Sequence, residues 1–188
     1  MMSLLTLALV VLGSSRDARA EDPNPTVTFE TSLGDIKLEL FEKEAPISVK
    51  NFLTYHEAGF FEGTICHRVI PNFMIQCGGF TVDMNKKETR PAIKNEAGNG
   101  LKNVRGTLAM ARKRPVDSAT AQFFINLDDN TFLDHGTRDF GYAVFGKVVD
   151  GMDVVDKISA VETAPRKGHA QVPVEPVFLQ AEKPVSEP

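Results

Sequence analysis

The sequence predicts a mainly β domain, an antiparallel barrel or sandwich of about eight strands carrying two helices. Three observations lead there. Short runs alternate polar and apolar residues, the pattern of a strand with one wet face. Turn signals rich in Gly, Pro and Asn separate those runs. No βα unit repeats along the chain, which argues against a parallel α/β sheet.

Thr26-Val27-Thr28-Phe29-Glu30-Thr31 and Asp35-Ile36-Lys37-Leu38-Glu39-Leu40-Phe41 alternate on either side of Ser32-Leu33-Gly34-Asp35, which reads as a hairpin. Pro46 suits the first turn of a helix. Val49, Phe52, Leu53 and the aliphatic part of His56 follow at helical spacing, and Gly59 stands where a left-handed cap would end it. Two short strands are expected between Thr64 and Phe80, turning at Ile70-Pro71-Asn72. The polar stretch Thr81 to Arg105 has no strong periodicity, and loops of that length are commonly functional. Strands follow at 106–111, 122–126 and 142–148. A second helix runs from Gly151 to Ile158, with apolar residues at 152, 155 and 158. Val174 to Ala181 reads as a closing strand whose pairing Pro173 and Pro176 limit.

A chain of 188 residues with 42% hydrophobic and 24% charged residues suits one globular domain. Net charge is −4 and the basic residues form no block, which disfavours nucleic acid as a partner. The N-terminus differs from the rest. Leu4 to Leu12 is apolar, Ala18-Arg19-Ala20 has the small-x-small form of a cleavage site, and Glu21 to Pro25 cannot continue a helix. No Lys or Arg precedes the apolar run, which is atypical. The expected organisation is a signal peptide over 1–20, a linker over 21–25, one domain over 26–182 and a tail over 183–188. That implies a periplasmic protein with no membrane span after processing, and a monomer by default.

The most informative stretch is Cys66-His67-Arg68-Val69-Ile70-Pro71-Asn72-Phe73-Met74-Ile75-Gln76-Cys77-Gly78-Gly79-Phe80. Gly106-Thr107-Leu108-Ala109-Met110-Ala111, Ala121-Gln122-Phe123-Phe124-Ile125, and Phe132-Leu133-Asp134 with Tyr142-Ala143-Val144-Phe145-Gly146-Lys147-Val148 follow it in order. Together these blocks resemble the cyclophilin signature over nearly the whole mature chain. The Phe-Gly-Tyr-Ala-Val-Phe-Gly-Lys form at 140–147 is most similar to bacterial periplasmic members. The resemblance implies a closed eight-stranded antiparallel β-barrel capped by two α-helices. It implies a peptidyl-prolyl cis-trans isomerase that acts on proline-containing polypeptides, needs no cofactor, and assists folding of exported proteins. It assigns the chemistry to Arg68, with Gln76 and Gln122 holding the peptide or orienting that arginine. Phe73, Met74, Phe124 and Leu133 would line the proline pocket, and Ala111 with the backbone of Arg112 would meet the extended substrate. Phe132 and Tyr142 stand where eukaryotic members often carry Trp and His. The first change removes an indole donor and weakens the case for cyclosporin-type inhibition; the second removes a titratable imidazole, so activity should be nearly flat between about pH 6 and 8.

The residue types suit that chemistry without the resemblance. Rotation about an X-Pro bond is slow because the C–N bond has partial double-bond character. Lowering the barrier needs a dry pocket for the ring and a donor to the prolyl nitrogen, which regains a lone pair as the amide twists. An arginine is always charged and offers five N–H donors. A contact that favours the twisted state over the planar one is catalytic. In a hairpin turning at 70–72, Arg68 and Gln76 would sit opposite one another on one face, with Phe73 and Met74 beside the turn.

Rival functions find less support. A non-catalytic proline-peptide binder or holdase would not need that set of residues together. No Gly-x-Ser-x-Gly elbow surrounds any serine, so Ser118 and His135 do not make a hydrolase. The histidines at 56, 67, 135 and 169 match no zinc spacing, and no metal is expected. His67 reads as structural. If Arg68 faces Gln76, the cysteines at 66 and 77 fall one residue out of register and point to opposite faces, so no disulfide is expected.

Overall fold

A computed structural model describes residues 23–181. The predicted signal peptide, the first two linker residues and the tail lie outside the described residues.

The elements run β1 (Thr26–Thr31), β2 (Gly34–Leu40), α1 (Pro46–Glu57), β3 (Thr64–Ile65), β4 (Arg68–Ile70), β5 (Met74–Cys77) and β6 (Phe80–Thr81). Then come β7 (Thr107–Met110), β8 (Phe123–Asn126), β9 (Val144–Asp150) and α2 (Met152–Ser159). The last three strands are β10 (Thr163–Arg166), β11 (His169–Pro173) and β12 (Phe178–Ala181). The expected hairpin is β1 with β2, paired from Thr26 with Glu39 to Thr31 with Gly34. Both predicted helices are present. The first begins at Pro46 and its leading amides are capped by a carboxylate from the long polar loop. The Ile47 N–H donates to Glu96 Oε1 at 3.0 Å and the Ser48 N–H to Oε2 at 2.7 Å, which satisfies donors a helix start leaves open.

The sheet corrects the predicted closed eight-stranded barrel. Ten antiparallel strands form one curled, open sheet in the order β4-β5-β8-β7-β9-β2-β1-β12-β3-β6. β10 and β11 form a separate hairpin that the sequence does not predict. The sheet stays open because the strands at its two ends have two or three residues each. The chain crosses from one end to the other at 66–67 and again at 78–79, outside any ladder. β4 and β6 therefore never pair, and a seam is left between them.

That seam explains a second correction. Arg68 does face Gln76, as expected, but Cys66 and Cys77 are disulfide-bonded, with Cα atoms 4.0 Å apart. Strand alternation fixes side-chain direction only inside a ladder. Cys66 precedes β4 and lies on the crossing segment, so its side chain is free to turn inward. Both cysteines are buried in the main core, and their bond ties the first crossing to the end of β5.

That core is rich in phenylalanine. Phe52 on α1 meets Phe123 edge-on at 5.4 Å and Phe29 edge-on at 6.0 Å, the arrangement that aromatic quadrupoles favour. α2 closes the opposite region with Val154, Val155 and Ile158 buried. Among the described residues no helix is long and apolar enough to cross a membrane.

Candidate active site

The site begins as a row across the sheet. Arg68 on β4 pairs with Gln76 on β5, and Gln76 with Phe124 on β8. Phe124 pairs with Ala109 on β7, and Ala109 with Val144 on β9. Paired residues project to the same face, so these five stand side by side. Their strand neighbours point the other way, and Val69, Ile75, Leu108, Phe123 and Ile125 all join the main core.

Over this row lies a cleft of about 410 Å³ including its open mouth, a size typical of small binding sites. Its apolar floor is Phe73, Met74, Phe124 and Leu133. Arg68 and Gln76 form the polar side, and Ala111, Arg112 and Tyr142 the side opposite. Met74, Phe124 and Leu133 pack with Ala109 and Val144 in a cluster separate from the main core. The Tyr142 ring stands edge-on to Phe124 at 5.7 Å.

Two further candidate residues are not part of the lining. Gln122, expected to hold the peptide or orient Arg68, has its Oε1 accepting from Gln76 Nε2 at 2.8 Å. Phe132 is on the rim, 42% exposed and stacked on Phe73 at 5.6 Å. Strand position explains both, since Gln122 precedes β8 and Phe132 lies in the 3₁₀ turn Thr131–Leu133.

The hydrogen bonds of the row run one way. Arg68 Nη1 donates to Gln76 Oε1 at 3.5 Å, the limit of a hydrogen bond. Because the Gln76 amide is committed to Gln122, its carbonyl oxygen is held toward the arginine. Gln122 has that position only because residue 79 is glycine; a Cβ there would lie 2.4 Å from the Gln122 side chain. The guanidinium offers five donors, so most remain for a ligand in the cleft.

His67 sits behind Arg68 on the first crossing. It is 2% exposed, against Phe80 at 4.5 Å and His169 at 5.8 Å. Burial, aided by the charge of His169 and Arg68, lowers its pKa to about 4. The imidazole is therefore neutral at physiological pH, and its Nδ1 is buried without a partner. Ser118 donates to the Pro115 carbonyl at 2.6 Å and accepts from the Lys113 amide. His135 Nδ1 is bonded to the Phe140 carbonyl at 2.7 Å. Those contacts hold loops and do not pair a nucleophile with a base. Among the described residues no group of three or more His, Cys, Asp or Glu gathers to hold a metal.

Sequence reasoning missed the polar support beneath the floor. Asn130 Nδ2 donates to the Phe73 carbonyl and to Asn126 Oδ1, each at 2.8 Å. Asn126 Nδ2 donates to Thr107 Oγ1 at 2.9 Å, and the Asn103 amide N–H to Asp134 Oδ1 at 2.8 Å. These buried groups fix the segments that carry Phe73 and Leu133, and satisfied networks of this kind rigidify what they join.

The family model described as "Cyclophilin type peptidyl-prolyl cis-trans isomerase/CLD" matches residues 26–181. Peptidyl-prolyl cis-trans isomerase A of Dickeya dadantii is 54% identical over 186 residues, covering 97% of this chain and 98% of its own. Peptidyl-prolyl cis-trans isomerase B of Escherichia coli is 55% identical over 158 residues, covering 82% of this chain and 96% of its own. A crystal structure of a cyclophilin type peptidyl-prolyl cis-trans isomerase from Cryptosporidium parvum, in the presence of the dipeptide Ala-Pro, superposes with a TM-score of 0.67. It is 27% identical and covers 84% of this chain and 96% of its own. With its row of Arg68, Gln76 and Phe124 beneath a cleft with an apolar floor, the chain belongs to the cyclophilin type peptidyl-prolyl cis-trans isomerases.

Proposed function

We propose that isomerisation takes place in the cleft beside Arg68, on X-Pro bonds of extended or unfolded segments. The carrying observation is the lateral row in which Gln76, fixed by Gln122, aims its carbonyl at Arg68 beside an apolar floor. The floor accepts the pyrrolidine ring without competing hydrogen bonds. Arg68 donates to the prolyl nitrogen as it becomes pyramidal, a bond available only in the twisted amide. That difference between states lowers the barrier. No nucleophile, metal or proton transfer is required. A proline-isomerisation assay on a short Ala-Pro peptide tests this. Arg68→Ala should lose about 10²–10³-fold in kcat/KM, the usual cost of one such donor. Full activity in that variant would remove Arg68 from the chemistry, and an inactive wild type would leave a proline-peptide binder.

We further propose that the protein is exported to the periplasm, where it assists folding of other exported chains. Leu4 to Leu12 followed by Ala18-Arg19-Ala20 supports export. The Cys66–Cys77 bridge supports it independently, because disulfides persist in oxidising compartments. The intact mass of the protein purified from cells should correspond to a chain starting at Glu21 and about two daltons below its reduced form, one hydrogen lost per sulfur. A mass that includes residues 1–20 would refute processing, and a fully reduced mass would refute the bridge.

A further inference from the structure

Tyr142 reaches the cleft from a loop and is held there by Arg112, another lining residue, and through it by Asp139, which is not part of the lining. Arg112 follows β7 and places its guanidinium 4.6 Å from the Tyr142 ring centroid. Its side chain is only 5% exposed. Nε donates to the Gly141 carbonyl at 3.0 Å, Nη1 to the Lys113 carbonyl at 3.2 Å and Nη2 to Asp139 Oδ1 at 2.8 Å. The same carboxylate oxygen accepts the Gly141 N–H at 2.7 Å. Asp139 thus ties the arginine and the backbone just before Tyr142 to one point.

The turn has no slack on its other side. Gly141 has φ +83°, and a Cβ on it would lie 2.6 Å from the His135 backbone nitrogen. His135 in turn follows two residues after Leu133, part of the cleft floor. The Arg112 cation is therefore held over the Tyr142 ring, with one donor on each of its three nitrogens committed to a protein acceptor. An exposed ion pair alone contributes little. Here one partner is buried and held over an aromatic ring, so losing the carboxylate frees the guanidinium as well as the charge.

We propose that Asp139 is a positioning residue for the proline pocket: by holding Arg112 over the Tyr142 ring it fixes the pocket wall and sets affinity for the prolyl segment without touching it. This rests on the cleft being the isomerase site. The Asp139 carboxyl is held below the ordinary carboxylate range, chiefly by the Gly141 amide and then by Arg112, so the clamp stays charged across the working pH range.

The test is a split between KM and kcat in the Ala-Pro peptide assay. Asp139→Ala should raise KM about three- to tenfold, the coupling expected of directly interacting groups, with kcat within about twofold. Asp139→Asn, which keeps an acceptor for Gly141 and loses the charge, should fall between it and the wild type. In an Arg112→Ala background the Asp139→Ala change should have no further effect on KM. Asp153→Asn, which disturbs an exposed pair with Lys157 on α2, serves as the control and should change nothing. An unchanged KM in Asp139→Ala overturns the proposal. So does an equal rise with and without Arg112, which would mean that Asp139 acts only through the Gly141 turn. If Asp139→Ala does not fold, Asp139→Asn alone decides by the same two comparisons. An inactive wild type would instead count against the isomerase reading, so the two failures are distinguishable.

Discussion

The same strands have two faces, and the two do different work. On the inner face, Val69, Ile75, Phe123, Ile125 and Leu108 interlock with α1 and the disulfide in one continuous core. On the outer face, residues one step along each strand, Arg68, Gln76, Phe124 and Ala109, form the cleft. A strand's two-residue period makes this division without any extra element. The inner face supplies the rigidity, which leaves the outer face free to be shaped for a ligand. Catalysis that depends on one aimed donor needs that arrangement, because a misplacement of about 1 Å can cost a hundredfold.

Adjacent residues on β5 offer the strongest way to break this contrast. Ile75→Ala should destabilise by about 2–5 kcal/mol while the folded fraction keeps its activity. Gln76→Ala should lose about ten- to hundredfold in kcat/KM at a stability cost of about 0.5–1.5 kcal/mol. Denaturant melts and the peptide assay on both variants decide. Equal destabilisation by the two would show that the faces are not separable.

A smaller effect sharpens it through His67, at the junction of the two faces. Its pKa is about 4 in the folded protein, against an ordinary value of 6.5. The unfolded chain therefore binds more protons between those values. Stability is undiminished above pH 6.5, falls as pH drops toward 4, and then stops changing on this account. The loss is about 3 kcal/mol, because each tenfold difference in proton affinity between the folded and unfolded chain is worth about 1.36 kcal/mol. Activity should stay flat between about pH 6 and 8, since His67 is neutral throughout and Tyr142 brings no imidazole to the cleft. Denaturant melts at several pH values check the first expectation and rate measurements the second. A His67 resonance titrating near 6.5 would remove both the burial penalty and its cause.

Legibility in the sequence follows local repetition. The β1–β2 hairpin and α1 each show their period, and the Arg68–Gln76 pairing follows from the position of one turn. The seam is not legible, because strands of two residues have no period to read and the crossing segments obey no alternation. Alternation therefore puts Cys66 on the wrong side. The β10–β11 hairpin is hidden by Pro165 and Pro173, which argue against strands. Its Lys167-Gly168 turn, with φ of 45° and 83°, is a usable signal. The floor's support is invisible for another reason. Asn103 and Asn130 look like loop residues and Asn126 like the polar end of a strand until tertiary structure buries them together. Likewise nothing in 27 residues of separation joins Arg112 to Asp139.

The Cys66–Cys77 bridge has a further consequence for how the site is specified. One sulfur lies two residues before Arg68 and the other one residue after Gln76. A slip of the β4–β5 hairpin by a single residue would exchange the faces, turning Arg68 inward and Val69 toward the cleft. β4 has only three residues with which to resist that slip. The bridge leaves the hairpin too little chain to shift, so it acts as a covalent register lock. An oxidising surrounding would then do more than toughen the protein: it would reinforce the pairing that presents a guanidinium to the substrate.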